Sequence, residues 1–538
     1  MRETAFRTWL RDSTSASRRH ATVAGVALAA SVAWTIVPTA GPIPGGPGER
    51  AATGATSAGA NSAGEVSSAG EVSSAGDVSS APSTAGGSSA VGGSSAAEAR
   101  TSPGSLDRSV GAPGTPGAPG GRASSSPIAG AGDSRCTGVN ASDQGVTAGS
   151  IVVGVGLIDL AGPIGNEAFD FRTDQEEIVR AVVDDINEHG GVNCRTLKAN
   201  LYKVNVLDKT DQGAKCRQAA RDDKVFAFLD AGGYAQSDTQ SCFTVEHRVP
   251  LVTSLGWTPG YYRDQGPYLS SYNAGTSAEI RNWVYNAADN GFFDRSKGFR
   301  KLGLLVDDCF PEIVQEIKTA LTSIGLTASD IEEENLGCVS LIAPPNFVAE
   351  AALSHKLDDV SHVFPATLPP NVRVYLEAAK RQDFHPVYGA SDLYCLTCPG
   401  FTSGFDPDEW AGTVAYTASR SGDLSAGLPM SEGTARCDAV LEAHGVRGVK
   451  KEADDLARVY CDLLHFFTAT MRTVPVNPTR LDFATAVPSV GRLGFGGVSD
   501  GLFNRPGVYT GADFQRPITW FRACECWKVT DPEFRPGR

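Results

Sequence analysis

Two lobes of α/β structure, each a doubly wound and mostly parallel sheet, are what this sequence predicts, and three observations predict it. From residue 146 onward, short β-branched apolar runs alternate with amphipathic helical segments, the pattern of parallel strands joined through helices. Glycine, proline and aspartate punctuate the boundaries between those segments, as chain turns require. The stretch that shows this alternation is about 400 residues, too long for one simple core and long enough for two.

Ile151–Ile158 is a continuous apolar run and reads as a buried strand. In Asp174–His189, Ile178, Val182 and Ile186 recur every fourth residue beside Val179 and Val183, which makes one apolar helical face. Gly190-Gly191 ends that helix, because glycine takes the left-handed cap conformation without a steric penalty. His189 then reads as a capping residue at the helix C-terminus. Further on, Leu201–Leu207 is strand-like, Asp211–Arg221 helical, Val225–Leu229 a strand, Thr239–His247 a helix and Pro250–Ser254 a short buried strand. Ser277–Ala288 aligns Ile280, Trp283, Val284 and Ala287 on one face. Lys301–Val306 is a strand, and Pro311–Ile324 a helix with proline in its first turn. Helices at Ala349–Leu357 and Asn371–Arg381 are followed by strands near His362–Phe364 and Pro386–Tyr388. Leu456–Met471 is amphipathic, Gly491–Gly511 is glycine-rich, and Pro517–Val529 is extended and aromatic.

The N-terminal quarter has a different character. Met1–His20 is arginine-rich and Ala21–Val37 is uncharged and mostly apolar, which reads as a signal peptide or signal anchor within residues 1–40. Residues 41–135 are mostly Ser, Ala, Gly and Pro with scattered charges, and carry the hexad SAGEVS, SAGEVS, SAGDVS between Ser62 and Ser79. Such small side chains bury no core, so the segment reads as a disordered linker. All 12 cysteines lie beyond residue 135, and in an exported chain an even number reads as disulfide-bonded.

The net charge of -14 and the pI of about 5.1 argue against nucleic acid or an anionic membrane surface as partner. The HExxH and P-loop patterns are missing. Gly154-Val155-Gly156 follows a strand start as a dinucleotide loop does, but Asp159 occupies the place of the third glycine. The eight histidines show no metal-binding spacing. No cofactor, metal site or enzyme activity is expected.

Several segments together resemble the type I periplasmic solute-binding proteins of ABC importers, of the branched-chain amino-acid (Leu/Ile/Val) type. They are IVVGVGLIDLAGPIG, then DDINEHGGVNCRTLKANLYKV, then AKCRQAARDDKVFAFLDAGGYAQSDTQSCFTVEHRVPLVTS. Order and spacing match over Gly145–Ser254, and weaker likeness continues to about Val529. The resemblance implies two lobes within residues 136–538, one about 145–272 with 413–489, the other about 273–412 with 490–529. It also implies an extracytoplasmic protein, secreted or anchored to the outer face of the membrane only through its N-terminal segment. That protein would capture a small organic ligand, an amino acid or derivative, for an ABC permease. The alternative is a membrane-tethered sensor or scavenger without a transport role.

In such proteins, lobe-one hydroxyls and backbone N–H groups hold a ligand carboxylate and a lobe-two carboxylate holds its ammonium. Carried over, the lobe-one ligand residues are Gly162 and Gly165, then Gly232, Gly233 and Tyr234, then Ser254, Gly256 and Trp257. On lobe two they are Phe310, Thr367 and Asp392, with Asp392 as the cation partner and Tyr394 beside it. This aromatic set suggests a larger or more apolar ligand than a simple amino acid.

Relatives bridge the positions of Cys216 and Cys242, so the resemblance implies that bond. Cys309 and Cys338 flank one βαβ unit and suit a second bond, and the same reasoning covers Cys437 and Cys461. Cys395-x-x-Cys398 and Cys524-x-Cys526 admit either a zinc or redox site or disulfides. Export favours disulfides, and Pro399-Gly400 suggests that the first motif lies in a loop.

Overall fold

The computed structural model describes residues 136–160, 162, 166, 172–234, 237–338, 342–450, 456–504 and 506–537. The expected signal segment and linker lie outside these residues, as does Gly165. Among the described residues no helix is long and apolar enough to cross a membrane.

The first sheet is entirely parallel, in the order β2-β1-β3-β4-β5. Its strands are β1 (Ser150–Asp159), β2 (Thr196–Asn205), β3 (Ala227–Asp230), β4 (Leu251–Thr253) and β5 (Leu269–Ser271). Helix α1 (Gln175–Glu188) buries Ile178, Val179, Val182 and Val183, the face its periodicity marks. It stops where Gly190 and Gly191 turn left-handed, at φ 99° and 73°. The Gly191 N–H donates back to Ile186 O at 2.8 Å, and His189 Nδ1 lies 2.8 Å from the Asp185 carbonyl. A Cβ on Gly191 would sit 2.1 Å from Arg195 O, so the turn has room only for glycine. It reverses the chain and delivers Thr196 to pair beside Ser150.

Helices α2 (Lys209–Arg217) and α3 (Ser237–Ser241) each continue into one wider π turn, Gln218–Asp222 and Cys242–Glu246. Asp208 caps α2 by accepting from the N–H groups of Thr210 and Asp211. A short helix, α4 (Pro259–Asp264), precedes β5.

The second sheet has eight strands and runs β14-β13-β10-β9-β8-β6-β7, with β15 (Arg535–Pro536) on β13. Its parallel part is β6 (Leu302–Val306), β7 (Ile331–Asn335), β8 (His362–Ala366), β9 (Val387–Ser391) and β10 (Val414–Thr417). Helices α5 (Thr276–Asp289), α6 (Pro311–Ser323), α7 (Pro345–Leu357) and α8 (Pro369–Arg381) accompany it. The tail adds β13 (Phe514–Phe521) and β14 (Cys526–Val529) in antiparallel fashion.

Two boundaries differ from expectation. Residues from 413 were assigned to the first lobe, but β10 is hydrogen-bonded between β9 and β13. The alternation alone does not say which sheet a four-residue strand joins. Residues from 490 were assigned to the second lobe, but β11 (Gly491–Leu493) and β12 (Gly501–Phe503) pair only with each other. Phe495, Val498, Phe503 and Ala512 pack into the first-lobe core, with α10 (Leu456–Met471). That helix and α9 (Glu432–Ala443) lie against α1.

Three crossovers join the lobes, near 272–275, 418–420 and 496–512. They are bonded to each other or to their neighbours: Gly511 N–H to Asn273 O at 2.9 Å, Ser499 N–H to Ala418 O at 2.7 Å, and Arg420 N–H to Gly497 O at 2.8 Å. Asp462 of α10 accepts from the N–H groups of Gly496 and Gly497, both at 2.7 Å.

The twelve cysteines form the pairs Cys136–Cys194, Cys216–Cys242, Cys309–Cys338, Cys395–Cys398, Cys437–Cys461 and Cys524–Cys526. The sulfurs of the CxxC and CxC motifs are therefore used in bonds. A helical turn begins at Pro399, where a loop was expected. Each bond stays within one lobe.

Candidate functional site

In doubly wound sheets a ligand sits beyond the carboxyl ends of the strands, where the strand order reverses. The first sheet reverses between β1 and β3, and the second between β6 and β8. The residues that follow those strands meet along a seam between the lobes.

On the lobe-one side, three loops present backbone donors, and each loop closes on an acceptor of its own. After β1, Asp159 Oδ1 accepts from Gly162 N–H at 2.7 Å and from Asn166 Nδ2 at 3.1 Å. After β3, the Asp230 carboxylate accepts from Gly233 N–H at 2.8 Å and Tyr234 N–H at 3.3 Å. Asp230 is fully buried, and burial pushes its carboxyl up to about 6 against those hydrogen bonds. After β4, Leu255 N–H donates to Thr253 Oγ1 at 3.1 Å and Ser254 N–H to Asp230 O at 3.0 Å. The Ser254 carbonyl accepts from Asn273 Nδ2 at 3.1 Å.

Gly232 takes φ 112° to make the second loop's turn. Gly256 lets the third loop lie against the first crossover, since a Cβ there would be 1.7 Å from Ala274 O. The Thr276 hydroxyl donates to Gly256 O at 2.7 Å and locks that approach.

On the lobe-two side, Asp307 follows β6 and Thr367 follows β8. Thr367 Oγ1 donates to Asp307 Oδ2 at 2.9 Å and accepts from Asn371 Nδ2 at 2.9 Å. The other oxygen, Asp307 Oδ1, is buried without a hydrogen-bond partner. Burial pushes the Asp307 carboxyl up to about 6. Glu279, in the first turn of α5, is buried at 4% exposure. Burial first, and then the Asp392 charge, hold its carboxyl well above the ordinary range. It lies within electrostatic reach of Tyr262 in lobe one and of Asp392 in lobe two.

Aromatic rings close the seam. Trp257 of lobe one and Phe310 of lobe two have centroids 5.2 Å apart. Tyr261 backs Trp257 at 4.9 Å, and Tyr394 lies 6.5 Å from Phe310. Tyr394 takes a left-handed φ of 54°, an uncommon conformation for a bulky residue that concentrates at functional sites. Trp257 Nε1 is buried with no acceptor. One apolar cluster runs from Phe228 and Trp257 through Phe310 to Phe364 and so belongs to both lobes.

The structure thus brings together Gly232, Gly233, Ser254, Gly256 and Trp257 on one side and Phe310 and Thr367 on the other. It uses two expected ligand residues differently. Tyr234 is fully buried in lobe one, its ring edge-on to Phe228 at 5.4 Å and Phe243 at 5.1 Å and its hydroxyl donating to Gln212 O at 3.2 Å. It is core, because the chain turns its ring inward where Gly233 N–H bonds to Asp230. Asp392 is a latch, not an open cation partner. Its carboxylate accepts from the Thr397 hydroxyl, from Thr417 Oγ1 at 2.5 Å and from Ala418 N–H at 2.6 Å, which ties it to the second crossover. Sequence reasoning missed Asp230, Asp307 and Glu279. Asp230 ends a strand and Asp307 follows one, positions that mark both; Glu279 looks like any acid in a helical first turn.

No protein-family model and no curated protein sequence matches this chain. Solved structures do. A fatty acid ABC transporter substrate-binding protein from Thermomonospora curvata aligns with TM-score 0.55 at 14% identity, covering 74% of this chain and 95% of that one. A leucine-binding protein, LivK, from Thermotoga maritima aligns at 0.53 and 14% identity, covering 71% and 97%. A solute-binding protein of an ABC transporter from R. palustris, in complex with 4-hydroxybenzoate, aligns at 0.54 and 15% identity, covering 72% and 97%. The chain has the two-lobed fold of type I periplasmic binding proteins.

Proposed function

We propose that this chain, built on the type I periplasmic-binding-protein fold, is an extracytoplasmic solute-binding protein. It captures a small organic ligand between its lobes and presents it to an ABC importer. One observation carries the reading: at the seam, buried polar atoms lack partners on both sides, Trp257 Nε1 on lobe one and Asp307 Oδ1 on lobe two. An unsatisfied buried polar atom costs about 1–3 kcal/mol, and a ligand that supplies partners to both recovers that cost only when the lobes are closed. Such a ligand binds the closed form more tightly and shifts the open–closed equilibrium toward it. The lobes are joined by short crossovers and not by disulfides, which suits hinge closure. The importer role draws support from the solved neighbours that are ABC substrate-binding proteins.

The test is small-angle scattering on the oxidised protein with a binder found by thermal-shift screening of amino acids, amides, amines, aromatic acids and sugars. The expected result is a smaller radius of gyration with ligand. A confirmed binder that leaves the scattering unchanged contradicts closure.

A further inference from the structure

We propose that the seam takes an organic cation, an alkylammonium or quaternary ammonium, and not a carboxylate. This rests on the reading that a ligand binds between the lobes.

Four of the lobe-one backbone donors that would face a carboxylate are already occupied. The Asp230 carboxylate takes the N–H groups of Gly233 and Tyr234. Asp159 takes the N–H of Gly162, and Thr253 that of Leu255. An incoming carboxylate would have to displace a fully buried carboxylate from its own hydrogen bonds, at a net loss of charge stabilisation.

The acceptors are in the opposite condition. Asp307 keeps one oxygen buried and unpartnered, and Glu279 accepts no hydrogen bond among the described residues, although only 4% of it is exposed. Among the described residues no basic side chain pairs with Asp307, Glu279 or Asp392, and the charges that act on the first two are other acids. Buried carboxylates without a cation are expensive, and a positive charge delivered to them is correspondingly favourable.

The rings supply the rest. Tyr261, Trp257, Phe310 and Tyr394 follow one another at centroid distances of 4.9, 5.2 and 6.5 Å. Aromatic faces around a desolvated cation attract it through the ring quadrupole, and alkylammonium groups are bound this way in aromatic cages. As the lobes part, the Trp257–Phe310 contact opens; on closure a cation takes the place between the two rings. The free Trp257 Nε1–H can then donate to an oxygen carried by the ligand.

The experiment is calorimetric titration and thermal shift of the oxidised full-length chain. The cation probes are choline, tetramethylammonium and phenethylammonium, and the carboxylate probes are leucine and 4-hydroxybenzoate. The expected result is heat and a raised melting temperature with at least one cation and neither carboxylate. Asp307→Asn, which retains an oxygen for Thr367, and Trp257→Leu should each weaken that binding by about tenfold or more. Glu279→Gln provides the same readout if either of those variants fails to fold. Binding of carboxylates without cations overturns the cation assignment and leaves capture between the lobes standing. Cation binding that none of the folded variants weakens places the cation elsewhere and also overturns the assignment. No response to any of these probes from a folded protein also overturns the cation assignment, while the scattering test decides capture between the lobes.

Discussion

Asp307 links the charge of the seam to solution conditions. Its carboxyl is pushed up to about 6, chiefly by burial, with hydrogen bonds from Thr367, the Cys309 N–H and Tyr394 acting the other way and Asp308 adding to the rise. A cation is held by the ionised form, so its affinity should be full above pH 6 and decline as pH falls through 6. Titration of the binding constant between pH 5 and 8 checks this; a constant that is flat across the range excludes Asp307 as the counter-charge. Asp392 calls for a different expectation. Asp392→Ala strands three donors, two of them at the crossover, and should lower unfolding free energy by about 3 kcal/mol. Denaturant unfolding measures that directly. These roles were only partly legible. "GASDLY" marks a functional-looking acid at a strand end, but nothing in it shows that Thr417 and Ala418 would return to claim both oxygens. Tyr234 reads as a pocket aromatic until Phe228 and Phe243 are seen around it.

At the scale of elements, glycine turns were the most legible features, because their requirement is local. Gly191 must be glycine for two reasons, a φ of 73° and a Cβ position 2.1 Å from Arg195 O. Gly445, which follows α9, has a similar φ of 72° with open space around it. Gly191→Ala should therefore lower stability by about 2–4 kcal/mol, and Gly445→Ala by only about 1 kcal/mol. Equal losses in melting experiments would show that backbone conformation alone, and not the contact with Arg195, fixes the first turn. The helix faces were legible for the same reason, since Ile178 and Val182 declare their side by spacing. Strand partners were not. Four residues, Val414–Thr417, carry no mark of which sheet they join, and their place between β9 and β13 depends on a partner strand far away in the chain. The separate β11–β12 ribbon was hidden by its glycines, whose small side chains gave no alternation to read.

For the whole molecule, the disulfides and the crossovers divide the labour. Cys216–Cys242 closes a separation of 26 residues and Cys309–Cys338 one of 29. Loops of that size are stabilised by about 3–4 kcal/mol per bond through the unfolded chain. Reduction should therefore lower the melting temperature markedly while the lobes, joined only by backbone crossovers, remain free to hinge; an unchanged melting temperature on full reduction would contradict that role. The two-lobed plan itself was visible from residue 146 onward, because strand–helix alternation over that length has few other solutions. The seam was not visible, because it is made by residues such as Trp257 and Phe310, far apart in sequence, that the folded chain brings within 5.2 Å. The measurement that tests capture between the lobes most directly is hydrogen–deuterium exchange of the oxidised protein with and without a saturating binder. The account predicts added protection in both 254–258 and 307–310, on opposite lobes, in the same sample. Protection confined to one lobe, or to a surface away from both segments, would contradict it.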